Sequence, residues 1–214
     1  MRVKRLAMLL SGLKQLQSHS IELEQYPTPG DLAARWLTDI SSFGDLFEGC
    51  TVVDLGTGNG VLGLGAVTLG AGNAILIDSD KEACKTAMEN ADLMGLTDSV
   101  DVVHATLGAD EINFHSSDLI ITNPPWGRQT SRADRPFLDA ILSEKKTAHL
   151  MHSAGASHID SFFDLDGWEL DRYGEADFPL PAVFSHHTSR RGKTRAAFWR
   201  LTPAENTDIV PDRS

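Results

Sequence analysis

The chain has 214 residues, 41% hydrophobic and 23% charged, with a formal net charge of −11. These are the proportions of one globular domain large enough to bury a full core, and no apolar run approaches the length of a transmembrane helix. The acidic balance argues against a protein that coats nucleic acid by bulk attraction, and two cysteines, Cys50 and Cys84, make neither a disulfide framework nor a zinc site.

Residues 1–24 read as a basic, amphipathic N-terminal segment. Leu6, Leu9, Leu10, Leu13 and Leu16 fall on one helical face, which should bury against the domain or a partner. The segment lacks a convincing secretory core and cleavage site, so a cytoplasmic location is expected. A catalytic domain is expected over 25–202 and a polar tail over 203–214. Thr28-Pro29-Gly30-Asp31 offers an N-cap, a proline at the first helical position and an acid at the capping-box position, opening a helix through Trp36 to Ile40.

A β-branched strand at 51–54 then runs into Asp54-Leu55-Gly56-Thr57-Gly58-Asn59-Gly60 and a helix of small residues at 60–69. Glycines in such a turn permit positive φ and let a ligand lie against bare backbone, while the helix N-terminus offers unpaired N–H groups. The spacing is not the dinucleotide fingerprint Gly-x-Gly-x-x-Gly, and Asp54 would repel a pyrophosphate but suits a ligand with a cationic amine. The next strand, 74–78, ends on Asp78, twenty residues beyond Gly58, where an acid can take both ribose hydroxyls. S-adenosylmethionine has the amine, the ribose and the sulfonium that these residues require.

After a helix at 80–94 and a strand at 99–104, the apolar run 117–122 delivers Asn123-Pro124-Pro125-Trp126. Two prolines have no N–H and fixed φ, so they end the strand and leave the Pro124 carbonyl without a local donor. That carbonyl and the Asn123 side-chain oxygen make a pair of acceptors, and Trp126 adds a flat apolar face. A planar NH2 group could donate both hydrogens there and turn its lone pair toward an electrophile. Asn123, Pro124, Pro125 and Trp126 are therefore the candidate catalytic residues for methyl transfer to an amine, which rests on orientation and hydrogen bonding more than on a strong base.

A helix at 135–145, a strand at 147–151, a helix at 155–163 and a closing pair near 167–173 and 196–201 complete seven strands. Strands alternating with helices imply an α/β, Rossmann-like fold with a mostly parallel sheet and an antiparallel closing strand. The long polar loop over 179–193 reads as a substrate-recognition segment. Positive charge is grouped in Arg128, Arg132 and Arg135 and in Arg190, Arg191, Lys193 and Arg195. Arg128, Arg190, Arg191 and Lys193 are taken as RNA contacts at the pocket mouth. Among the histidines, His149, His152 and His158 show no clean ligand spacing, so no metal is expected. Trp36, Trp168 and Trp199 sit in apolar-periodic segments and read as core.

On Leu23-Glu24-Gln25-Tyr26-Pro27-Thr28, the glycine loop, Asn123-Pro124-Pro125-Trp126, Arg135-Pro136-Phe137-Leu138 and Phe178-Pro179-Leu180-Pro181, the chain resembles the methyltransferase-like family of ribosomal RNA adenine-N6 methyltransferases, the small archaeal and eukaryotic type acting on small-subunit rRNA. The resemblance implies that Gln25 and Thr28 reach S-adenosylmethionine, that Gly56, Asn59 and Val61 line its methionine and sulfonium end, that Asp78 holds the ribose, and that Thr106 and Leu107 flank the adenine. Relatives often have Phe where this chain has Trp126, and an acid at the end of the third strand, where this chain reads His104-Ala105-Thr106. The resemblance also implies a small zinc-binding activator protein that adds a strand at the sheet edge formed by 100–104. A protein-glutamine N5 methyltransferase, an rRNA guanine-N2 or DNA adenine methyltransferase, and a non-catalytic ribosome assembly factor remain alternatives.

Overall fold

The computed structural model describes residues 1–16, 27–127, 130–164, 167–179 and 193–204. Among them seven strands form one sheet: β1 (Thr51–Leu55), β2 (Asn73–Asp78), β3 (Val100–His104), β4 (Leu119–Thr122), β5 (Thr147–Ser153), β6 (Trp168–Pro179) and β7 (Lys193–Pro203), in the order β3-β2-β1-β4-β5-β7-β6. The first five are parallel, and β7 runs antiparallel between β5 and β6. The helices are α1 (Val3–Ser11), α2 (Gly30–Phe43), α3 (Val61–Leu69), α4 (Lys81–Met94), α5 (Arg135–Glu144) and α6 (His158–Phe163). This is the expected Rossmann-like methyltransferase fold. The chain builds outward from β1 in both directions, so a crevice opens at the C-terminal ends of β1 and β4, where sheets of this kind bind ligands.

Both faces of the sheet are covered. Val52 joins a cluster with Leu6, Leu10, Trp36 and Leu64, and Val53, one residue on, joins another with Ile120, Leu138, Leu150 and Trp199. A strand buried on both faces must be apolar without alternation, which is how β1 and β4 read. α3 is buried nearly all round because it lies unusually close to the sheet. A Cβ on Gly63 would stand 2.0 Å from Leu76 Cδ2, so any side chain there would force the buried Leu76 to move.

Three expectations are corrected. Thr28 does not cap a helix: α2 begins at Gly30 with Pro29 at its N-cap and no side-chain cap bond, and the Thr28 hydroxyl turns into the site instead. The leucine stripe is narrower than expected, because α1 ends at Ser11; Leu6, Leu10 and Leu13 are buried against the domain while Leu9 is exposed. The closing pair is longer than expected, since Pro179 pairs with Lys193 at its far end. The second half of β6 escaped notice because it is an edge strand with charged outer residues and a register shift between Arg172 and Gly174, which breaks period-two alternation.

A buried polar network ties the end of α2 to the sheet. His149 is fully buried, with Nε2 2.8 Å from Asp45 Oδ2 and Nδ1 3.0 Å from the Tyr173 hydroxyl, which accepts from Trp36 Nε1 at 2.7 Å. Arg200 donates to both Asp45 oxygens, at 2.6 and 2.9 Å. Burial raises the Asp45 pKa, but hydrogen bonds from Arg200 and His149 outweigh it and hold the carboxyl well below its usual range. Burial lowers His149 against the opposing pull of Asp45. No described helix is long and apolar enough to cross a membrane.

Candidate active site

The crevice at the β1/β4 ends is a cavity of about 400 Å³. Thr28, Gly56, Gly58, Asn59, Val61, Asp78, Thr106 and Leu107 line it together with Asn123, Pro124 and Pro125. Eight candidate cofactor residues and three candidate catalytic ones thus line one cavity, although they span nearly a hundred residues of chain. Gln25, Arg128, Arg190 and Arg191 lie outside the described residues, as does the Lys193 side chain.

The loop after β1 is shaped by two carboxylates. Gly58, at φ 57°, has open space where a Cβ would be, so its backbone faces the cavity. Its N–H donates to Asp78 Oδ2 at 2.8 Å, and Asp78 Oδ1 accepts from Asp80 N at 2.9 Å. Burial raises the Asp78 pKa, so further donors would relieve this carboxylate. Asp54 stands behind the loop and does not line the cavity. Fully buried, it accepts from Thr57 Oγ1 at 2.7 Å and Gly63 N at 2.9 Å, leaves Oδ1 without a partner, and is pushed up to about 6, chiefly by burial. Its visible work is to join the loop to the first turn of α3.

At the end of β3 the Thr106 N–H is taken by a side chain from four residues downstream: Asp110 Oδ2 accepts it at 2.7 Å, and Asp110 itself does not line the cavity. Asn59 is also held from afar, its Nδ2 donating to the Lys14 carbonyl at 3.0 Å, while Asn90 on α4 donates to the Asn59 and Lys14 carbonyls. Gln15 and Leu16, next in chain, line the cavity. Phe137 does too, its ring so near Gly56 that a Cβ there would meet it at 2.9 Å. Sequence reasoning assigned no role to Asn90, Asp110 or Phe137; the only trace was that Phe137 sits in a segment shared with the resembling family.

At the turn after β4, Asn123 is hydrogen-bonded at both ends of its carboxamide. Nδ2 donates to Thr28 Oγ1 at 3.0 Å, and Oδ1 accepts from Trp126 Nε1 at 3.0 Å. The Pro124 carbonyl accepts no hydrogen bond among the described residues. Trp126 is turned inward and buried, against His152 (6.0 Å, stacked) and Phe178 (4.8 Å), and faces a second cavity of about 700 Å³.

That second cavity gathers residues that looked unrelated in sequence. Ligand atoms of Asp134, His152 and His158 lie within 4.8 Å of one another, a grouping that could hold a metal ion. The protonation pattern favours hydrogen bonding: Ser153 N–H donates to His152 Nδ1 at 2.9 Å, so a neutral His152 carries its proton on Nε2. That nitrogen is 3.2 Å from Asp134 Oδ2 but poorly aligned, whereas His158 Nε2 meets the same oxygen at 2.5 Å. Burial raises Asp134, and the two imidazoles outweigh it and lower its pKa.

Comparisons with known proteins bear on this site. The family model for ribosomal protein L11 methyltransferase matches residues 32–124. An uncharacterised protein of Methanocaldococcus jannaschii is 33% identical, covering 92% of this chain and 93% of its own length. The rRNA N(6)-adenosine-methyltransferase METTL5 of Danio rerio is 29% identical, covering 95% of this chain and all of its own. A Pyrococcus horikoshii structure, provisionally described as an RNA methyltransferase, superposes with a TM-score of 0.84 at 31% identity, covering 95% and 98% of the two chains.

Proposed function

The chain belongs to the METTL5-type family of rRNA N6-adenosine methyltransferases, and from that premise we propose that it methylates the exocyclic amine of an adenine in small-subunit ribosomal RNA, using S-adenosylmethionine, in the cytoplasm. The observation that carries this reading is the shared cavity: Asn123 and Pro124 line the same space as Asp78 and the glycine loop.

The residues present suit the cofactor. Each Asp78 oxygen takes one backbone N–H and keeps lone pairs for a pair of ribose hydroxyls, and a buried carboxylate gains from such donors. Gly58 leaves room for a ligand against the backbone, and Thr106 and Leu107 supply the wall for a flat base. When bound, the cofactor supplies a methyl group on a sulfonium, which leaves as a neutral thioether. Asn123 Oδ1 and the Pro124 carbonyl would each accept one hydrogen of the target NH2, favouring a pyramidal nitrogen whose lone pair points into the cavity. The amine proton is then lost to water. To reach this turn the base must leave its stack, and Arg128, Arg190, Arg191 and Lys193 are proposed to hold the flanking phosphates.

β3 is an edge of the described sheet, with Val102 and Val103 half-buried. We propose that a small zinc-binding activator protein adds a strand there, covering an otherwise unpaired ladder. Val102→Pro should then abolish any melting shift caused by the activator.

A second reading, methylation of a protein amine or of a glutamine amide, draws support from the match to the L11 methyltransferase model, which ends at the catalytic turn. Partition of a labelled methyl group distinguishes the two. Incubating ribosomal subunits with the enzyme and labelled cofactor should put the label in small-subunit RNA; label in the protein fraction would favour the second reading.

A further inference from the structure

The two grips on Asn123 have different chemistry. An indole N–H can only donate, so the contact from Trp126 Nε1 requires that end of the carboxamide to be oxygen. The NH2 end then faces Thr28 Oγ1. Asn123 and Thr28 line the first cavity and Trp126 the second, so the indole reaches the amide through the wall between them. Phe178 and His152 seat the indole, and together they leave Trp126 only 7% exposed.

Freed from both partners, a carboxamide turns about its terminal torsion and can offer either end to a ligand. The inverted form would present an NH2 to the substrate's NH2, donor against donor. We propose that Trp126 and Thr28 are positioning residues that lock Asn123 with its oxygen available to the substrate, and that they thereby select an amine over a carbonyl as the methyl acceptor. Asn123 Oδ1 has two lone pairs; the indole takes one, and the other serves the substrate. The indole N–H is the active part of Trp126, which is why a phenylalanine in this place is not equivalent in this chain. Thr28 reaches Asn123 across 95 residues of sequence. This inference rests on the amine-methylation reading above.

The test is single-turnover methylation of small-subunit RNA at saturating cofactor, with Trp126→Phe, Thr28→Val and Thr28→Ser. Trp126→Phe keeps a ring in the seat and removes the donor; Thr28→Val keeps the shape and removes the hydroxyl. Each should lower the rate constant roughly five- to tenfold, the size expected for one hydrogen bond, while the RNA concentration for half-maximal rate changes less than about twofold. Thr28→Ser should restore the parent rate. The double variant should lose less than the product of the two single losses, because both act through one amide. In the unmodified chain, the Trp126 indole proton should exchange slowly with solvent, and faster in Asn123→Ala, a readout that does not depend on the other variants folding. A Trp126→Phe enzyme at or above the parent rate, or one whose loss lies wholly in RNA affinity, overturns the clamp. If the parent methylates no RNA adenine, the function reading fails and the clamp falls with it; if the parent is active, the variants judge the clamp alone.

Discussion

Replacing Asp78 by alanine isolates the cofactor half of the site. Its two oxygens already hold Gly58 N–H at 2.8 Å and Asp80 N–H at 2.9 Å, so the ribose hydroxyls would use the lone pairs that remain. Hydrogen bonds to a charged acceptor contribute about 1.5–3 kcal/mol each; water entering the variant's vacated space returns part of that. The net loss should be roughly 1–3 kcal/mol, a 5- to 150-fold rise in Kd, read by titration calorimetry. Loosening of the Gly58 turn could mimic the effect, so a cofactor analogue lacking the 2′ and 3′ hydroxyls completes the cycle. It should bind the parent as weakly as the natural cofactor binds Asp78→Ala, and lose little more on the variant. If parent and variant bind the cofactor equally, or the analogue suffers as much from the mutation as the natural cofactor does, Asp78 is not the ribose ligand.

Asn123→Ala should lower the single-turnover rate about 10²-fold or more with cofactor affinity nearly unchanged, as for a group that acts in the transition state; an unimpaired rate would remove Asn123 from the chemistry. The His149 network predicts a melting temperature that falls on acidification. His149 has a lowered folded-state pKa, so its contribution is complete above its unfolded value, near 6.5, and declines as the pH drops below it; the depressed Asp45 adds a further loss only toward its own lower range. His149→Gln should flatten the slope between pH 7 and 5, and an equally steep curve would point to another group. Replacing Arg190, Arg191 and Lys193 by alanine should reduce the log–log salt slope of RNA binding by roughly 0.7–0.9 per lost phosphate contact; an unaltered slope puts the RNA elsewhere.

The legible parts of this molecule are those whose cause is local. A turn that needs positive φ leaves glycines at fixed spacing, a doubly buried strand leaves a short apolar run, and Asn123-Pro124-Pro125 ends β4 by the chemistry of proline itself. What escaped is assembled across the chain. Thr28 carries the local grammar of a helix cap, yet its hydroxyl is claimed by a side chain 95 residues away. The direction of the Trp126 ring depends on His152 and Phe178, and Asp134, His152 and His158 meet only because α5, β5 and α6 converge beside the turn. Asp110 reaches the Thr106 N–H by folding back four residues, which no motif at position 106 could reveal. β6 was half missed because an edge strand faces water, and its charged residues hide the alternation.

The central claim is the base and the atom that receive the methyl group. Mass spectrometry of nucleosides from purified small-subunit rRNA, prepared from cells with the active gene and from cells carrying Asn123→Ala, reports both together. N6-methyladenosine should be present in the first sample and lost in the second. Equal N6-methyladenosine in both, or a change confined to another nucleoside such as N2-methylguanosine, would contradict it.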